Sequence, residues 1–245
     1  MTDSIVVVLQ TCTYLYSLKD GLLFGKYPTS SNPKGLCDVR LREDSPVIAV
    51  LGEKKGTVTI WSKNRKVLGF SPLSIAAHES EISCMCLSPD GEWLATASVR
   101  GSVIRLFSTR TGQLRGGFRR GRTHATIVNL EFDSNMQYLL CNSDTTIHIA
   151  RLMLSGHSLR SSTTSLRTFD RFGLVLGSIT SSESRGTELT ESFSIRYSNP
   201  DHSASMVAVF GSEPDTVFVI TSKGLFQKLS IDGDIGISKY REDSL

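Results

Sequence analysis

Short β-branched strands recur along this chain in pairs at a nearly fixed spacing, and few architectures repeat in that way. Val47–Leu51 is followed by Thr57–Trp61, Trp93–Ala97 by Ser102–Phe107, Tyr138–Cys141 by Thr146–Ala150, and Val217–Thr221 by Leu225–Leu229. Ile5–Leu9 with Thr13–Leu18 is an earlier copy of the same layout. Val47 to Trp93 is 46 residues, Trp93 to Tyr138 is 45, and Tyr138 to Val217 is 79, so the last interval carries an insertion. A period near 45 built from short strands predicts an all-β fold, a β-propeller with blades of four strands. Apolar residues alternate or run in fives, and no stretch sustains a helical period.

The turn residues agree. Ser88-Pro89-Asp90-Gly91 has proline second and glycine fourth, as a type I turn prefers. Lys19-Asp20-Gly21, Thr111-Gly112 and Asp232-Gly233 read as further hairpin turns. Residues 1–245 are therefore expected to form one propeller domain, with residues 154–191 as a loop inserted in its penultimate blade. That insertion is rich in serine, threonine and arginine and holds one apolar patch, Phe169 with Phe172–Leu176. A loop of this length within a compact domain is either functional or disordered.

Cysteine usage excludes several classes. Cys12, Cys37, Cys84, Cys86 and Cys141 are odd in number and have no framework spacing, and no Cys-x-x-Cys accompanies them. Buried free thiols in a reducing compartment are expected rather than disulfides or a zinc site. The apolar run Ile5–Leu9 follows Asp3 and reads as a strand, not as a signal peptide or membrane span. No Gly-x-Ser-x-Gly, Gly-x-x-x-x-Gly-Lys or His-Glu-x-x-His occurs, so no enzyme, cofactor or metal is expected.

Charge is unevenly placed in a chain of net charge +3. Trp93 to Leu130 contains no aspartate or glutamate, yet holds Arg100, Arg105, Arg110, Arg115, Arg119, Arg120, Arg122 and His124. Such a cluster favours an anionic partner, and the planar guanidinium fork suits phosphate. Adjacent strand residues point to opposite faces, so Arg119 and Arg120 would serve two separate pockets on the rim of a blade. Geometry alone leaves a second reading open, an edge strand protected by charge against sheet-to-sheet pairing.

The segment from His78 to Gly121 carries a resemblance. Ala95–Ser98, a turn glycine, Ile104–Phe107 and then the tetrapeptide Phe118-Arg119-Arg120-Gly121 resemble the PROPPIN family, the phosphoinositide-binding WD-repeat β-propellers that include the WIPI proteins. Asn32–Leu36 and Ile5–Leu9 resemble earlier family segments. The resemblance implies a first phosphate pocket of His78, Thr96, Ser98, Gly101, Ser102, Arg105 and Arg119, and a second of Arg120, Ser143, Thr146 and His148, with Gly121 closing the tetrapeptide. Taken singly, His78 also fits the structural histidine that precedes many WD-type blades. Ser98 and Ser102 also fit turn hydroxyls, and Arg105 a solvated strand residue.

Some positions depart from the family pattern. Glu81 stands where proline is usual, and the Asn142–Thr146 turn is one residue short and lacks the usual lysine-glycine. Gly116-Gly117 is unusual before Phe118 and is expected to loosen that strand. The chain reads as starting inside the third blade of a seven-bladed pattern, so about five blades are expected, the first incomplete. Two readings of the gap stay open, a truncated or alternative product, or a partner such as a second copy that covers it.

The resemblance further implies phosphatidylinositol 3-phosphate or phosphatidylinositol 3,5-bisphosphate as ligand and a peripheral place on cytoplasmic membrane surfaces (preautophagosomal, endosomal, or vacuolar and lysosomal). It implies autophagy-type protein effectors as partners. Phe169, Phe172, Leu174, Val175 and Leu176 would enter the membrane interface, beside Arg160, Arg167 and Arg171. The alternative for this loop is a disordered serine-rich linker carrying phosphorylation sites. A protein-interaction scaffold that does not bind lipid by itself is the competing function. Nucleic acid is not expected, since only Phe107 and Phe118 accompany the basic stretch.

Overall fold

The computed structural model describes residues 4–42, 45–63, 70–154, 189–198, 204–232 and 236–244. Nineteen strands are described, arranged in five antiparallel sheets. The first sheet has three strands, Ser4–Val8 (β1), Cys12–Ser17 (β2) and Leu23–Pro28 (β3). The second holds Cys37–Arg42 (β4), Ser45–Leu51 (β5), Thr57–Lys63 (β6) and Phe70–Ala76 (β7). The third holds Ile82–Leu87 (β8), Trp93–Ser98 (β9), Val103–Ser108 (β10) and Leu114–Arg119 (β11). The fourth is Ile127–Phe132 (β12), Tyr138–Ser143 (β13), Thr146–Leu154 (β14) and Leu189–Ser198 (β15). The fifth is Met206–Phe210 (β16), Thr216–Thr221 (β17), Leu225–Asp232 (β18) and Gly236–Ser244 (β19).

Within each sheet the strands follow chain order, so each is one propeller blade, and the expected five blades are present with a three-stranded first. Among the described residues no helix is long and apolar enough to cross a membrane. The inserted segment is shorter than the sequence suggests at both ends. Leu154 still belongs to β14, and Leu189 already opens β15 as its register partner.

The core lies between blades rather than within one, because alternate residues of a strand feed opposite interfaces. On β9, Ala95 and Ala97 pack with Ile104, Phe118, Ile127, Leu139 and Cys141 toward the fourth blade. Leu94 on the same strand packs with Val47, Ala49, Ile60, Ile75 and Leu87 toward the second. Tyr138 and Leu140 of β13 do the same toward Met206, Ala208 and Val217.

Polar clasps join neighbouring blades. Leu87 N–H donates to Asp38 Oδ2 at 2.7 Å, and Phe210 N–H to Glu131 Oε2 at 3.0 Å. Asn142 Oδ1 accepts from Ala208 N–H at 3.0 Å, while Asn129 Nδ2 donates to Ala208 O at 3.2 Å. Each clasp satisfies backbone groups that the packing of blades would otherwise leave buried without partners.

The turns form as the sequence predicts. Gly91 N–H donates to Ser88 O, Gly112 N–H to Ser108 O and Gly21 N–H to Ser17 O. The turn at Asp232-Gly233 runs into residues outside the described set. In an antiparallel meander the connections alternate between the two ends of the strands. The β3–β4, β5–β6, β7–β8, β9–β10, β11–β12 and β13–β14 connections therefore share one end of the propeller. The β14–β15 connection leaves from the other.

Candidate functional site

The third blade carries the arginines, and its register sorts them by face. Arg105 lies opposite both Thr96 and Gly117, and Arg119 lies opposite Val103. Directly opposed residues share a face, so Thr96, Arg105, Gly117 and Arg119 all stand on the side of the sheet turned to the second blade. Phe118 and Ile104 stand on the other side, in the core against the fourth blade.

The first-pocket residues form a bonded chain. His78 Nε2 and Thr96 Oγ1 are 3.0 Å apart, Thr96 Oγ1 lies 3.5 Å from Arg105 O, and Arg105 Nη1 donates to Ala77 O at 2.6 Å. Arg105 is thus a half-buried, anchored guanidinium and not a solvated strand residue. Burial first, and then nearby Arg105, pushes the His78 imidazole down from 6.5 to about 4. Ser98 is buried, and its carbonyl accepts from Gly101 N–H at 2.8 Å to close the β9–β10 turn. Ser102 is half-buried beside it.

Gly101 has φ of 62°, and a Cβ there would come within 1.9 Å of Ala125 O. The backbone turn therefore fits only without a side chain. Gly117 is likewise needed, since a Cβ would meet Ile104 O at 2.3 Å. The strand runs on through Gly116 and Gly117 with its ladder intact, and a register shift between Leu106 and Phe107 absorbs Arg115. The irregularity of this strand falls beside the glycine pair, at Arg115, while Gly117 itself pairs with Arg105.

Arg119 and Arg120 part company, as alternation predicts. Arg119 is exposed, and its side chain makes no hydrogen bond or ion pair with any described residue. Arg120 donates from Nε to Gly101 O at 2.6 Å and from Nη2 to Thr123 O at 2.7 Å, and its backbone N–H bonds Ser102 O at 2.9 Å. Its charge also acts on the Cys141 thiol of the fourth blade, though burial dominates there and pushes that thiol up to about 12. Gly121 continues the tetrapeptide with open space where a Cβ would sit.

The second set is more tightly closed. Ser143, Thr146 and His148 are all buried. The Ser143 and Thr146 hydroxyls bond each other at 2.8 Å, and Thr146 N–H donates to Ser143 Oγ at 3.1 Å. Asp144 N–H reaches Thr126 O at 3.2 Å, so this short turn is pinned to the chain leading out of the tetrapeptide. His124 is exposed on the same connection.

Of the seven arginines, Arg110 does find a counter-charge. Its Nε and Nη2 grip both oxygens of Glu92, the residue just before the acid-free stretch. Phe169, Phe172, Leu174, Val175 and Leu176 lie outside the described residues. Sequence reasoning missed the Ala77 and Thr123 carbonyls, which steer Arg105 and Arg120, because backbone acceptors leave no mark on composition. Among the described residues no cluster of His, Cys, Asp or Glu could hold a metal.

A family model described as PROPPIN matches residues 2–183, which include every described residue of both candidate pockets. The chain belongs to the PROPPIN family. Among curated PROPPIN relatives, it is 38% identical over 151 residues to autophagy-related protein 18e of Arabidopsis thaliana, covering 61% of this chain and 39% of that one. It is 33% identical over 152 residues to WD repeat domain phosphoinositide-interacting protein 1 of Homo sapiens, covering 60% and 33% respectively. The match thus spans about two fifths or less of these relatives' length. Among solved structures, Kluyveromyces lactis Hsv2 superposes with a TM-score of 0.69 at 15% identity, over 100% of this chain and 71% of that one. A chain from the complex of KlAtg21 with the coiled-coil of AgAtg16 superposes with a TM-score of 0.65 at 18% identity, over 99% and 68%. These likenesses carry the PROPPIN propeller fold.

Proposed function

We propose that this PROPPIN propeller is a non-catalytic phosphoinositide-binding recruitment scaffold, peripheral on autophagic, endosomal or vacuolar membranes. Each side of the third blade takes one headgroup of phosphatidylinositol 3-phosphate or 3,5-bisphosphate. The observation that carries the reading is the exposed Arg119 guanidinium, unpaired among the described residues, above anchored Arg105, with Arg120 turned to the opposite side. A phosphate between Arg119 and Arg105 would satisfy the first and add charge-assisted bonds to the second. Support also comes from the human relative, whose name describes it as phosphoinositide-interacting.

The first pocket rests on more than the second, because Ser143 and Thr146 already satisfy one another. Residues 169–176 would add apolar contact with the bilayer, and two modest sites plus insertion give avidity that neither site supplies alone. The AgAtg16 coiled-coil bound to one structural neighbour, KlAtg21, favours protein effectors as the cargo of such recruitment.

Liposome co-sedimentation tests this reading. Wild type and Arg119→Thr/Arg120→Thr, both shown to melt cooperatively, are spun with vesicles with and without 3-phosphorylated lipid. Lipid-dependent pelleting that vanishes in the folded double variant is the expected result. A folded wild type that stays in the supernatant at every lipid composition would leave only the protein-scaffold reading.

A further inference from the structure

A second basic concavity lies one blade before the arginine pockets, at the same end of the propeller. Its walls come from four connections. The β3–β4 loop supplies Ser30, Ser31 and Lys34, the β5–β6 turn supplies Lys54 and Lys55, the β7–β8 connection supplies Glu81, and the β9–β10 turn adds Val99. The cavity is about 120 Å³, room for several water molecules.

Both lysine-bearing turns are locked. Asn32 bridges its own loop, accepting from Leu36 N–H at 2.8 Å and donating to Leu36 O at 3.0 Å. Lys54 O accepts from Thr57 N–H at 3.1 Å and from Thr57 Oγ1 at 2.6 Å. Gly56 sits at φ 73°, where a Cβ would strike His78 O at 1.8 Å, so the turn is wedged against the next connection. Ser30 N–H bonds Gly52 O at 3.3 Å and ties the two lysine turns to each other.

The three ammonium groups are exposed and form no ion pair with any described residue. Glu81 is the only acid in the wall, so the lining carries three positive charges against one negative. We propose that this cavity binds a phosphate monoester. Such a group carries a charge of about −1.5 to −2 at neutral pH, which matches the surplus of two. Its oxygens point in several directions and can take lysines arriving from separate turns as well as the Ser30 and Ser31 hydroxyls. A carboxylate, flat and singly charged, would leave one ammonium unanswered. Lysine acts here as a point charge and needs no bidentate geometry. The site adjoins the first arginine pocket, through Val99 next to Ser98 and Gly56 beside His78 O, but shares none of its residues and does not depend on its lipid reading.

Isothermal titration on the Arg119→Thr/Arg120→Thr chain, which removes two arginines of the other pockets, reads this site as the change that lysine substitution makes. The probes are inorganic phosphate, soluble inositol 1,3-bisphosphate, and vesicles carrying 3-phosphorylated lipid. Lys54→Gln/Lys55→Gln is expected to weaken binding of the soluble probes about tenfold. Lys19→Gln/Lys26→Gln removes equal charge elsewhere and should change it by less than about twofold. Tighter binding to inositol 1,3-bisphosphate or vesicles than to inorganic phosphate identifies a lipid headgroup as the source, and equal binding identifies free phosphate. No heat with any probe, or equal loss in both lysine pairs, overturns the proposal. So does binding of an oligoglutamate peptide where all three phosphate probes fail.

Discussion

Lowering the pH from 7 to 5 charges His78 in the unfolded chain well before it does so in the folded one. Burial within the β7–β8 connection, helped by nearby Arg105, holds the folded imidazole at about 4, against 6.5 for a free histidine. The folded value is the depressed one, so the stability that His78 supplies is complete above about pH 6.5 and is lost as pH falls toward 4. With about 1.4 kcal/mol per pKa unit, the loss between pH 7 and pH 5 comes to about 2 kcal/mol. The ring is partly exposed, and solvent screening reduces this to about 1 kcal/mol. In a domain of this size that is about 2–4 °C in Tm. His78→Gln keeps a side-chain partner for Thr96 Oγ1 but cannot titrate. Circular dichroism melts at pH 7 and pH 5 should therefore show the wild type losing about 2–4 °C more than His78→Gln. Other acid-sensitive groups contribute equally to both proteins and cancel. Equal losses in the two, or an imidazole NMR titration centred near 6.5 in the folded protein, would refute the reasoning.

Two further substitutions probe the frame around the site. Gly101→Ala combines a positive φ with a Cβ 1.9 Å from Ala125 O, so it should destabilise by about 2 kcal/mol or more and shift the urea midpoint with m unchanged; an unshifted midpoint would mean that the β9–β10 turn is not wedged there. Asp38→Ala removes the acceptor for Leu87 N–H between the second and third blades and should cost about 1–3 kcal/mol. A midpoint within error of wild type would show that this clasp is dispensable.

Most of the architecture was legible because propeller blades advertise themselves locally. Trp93–Ala97 and Ser102–Phe107 could be placed, each bound within one residue of the observed strands, from alternation, a glycine turn and an echo 46 residues before and 45 after. The clasps could not. Asp38 and Leu87 are 49 residues apart, and Asp38 in a strand looks like any solvent-facing acid until the next blade docks. The packing role of Gly117 was hidden for a related reason. Glycine weakens an isolated strand, yet a Cβ at Gly117 would meet Ile104 O of the neighbouring strand.

Residue types for the arginine pockets were readable, and the family resemblance supplied their membership. Their states were not readable. That His78 is neutral, that Arg105 is tethered to Ala77 O, and that Arg110 is already spent on Glu92 all depend on neighbours brought in by packing. The lysine cavity left no linear signal at all, since Lys34, Lys54–Lys55 and Glu81 come from three separate connections.

The alternation of connections between strand ends fixes how this body can meet a plane. The arginine pockets and the lysine cavity crowd toward one end of the strands, whereas the segment between β14 and β15 departs from the other. Strands of six to nine residues put those ends about 20–30 Å apart. A flat surface pressed against the disc's broad face would reach only one of them. To touch both at once it must run tangentially to the curved flank, parallel to the outermost strands, so that the molecule stands on its edge like a coin.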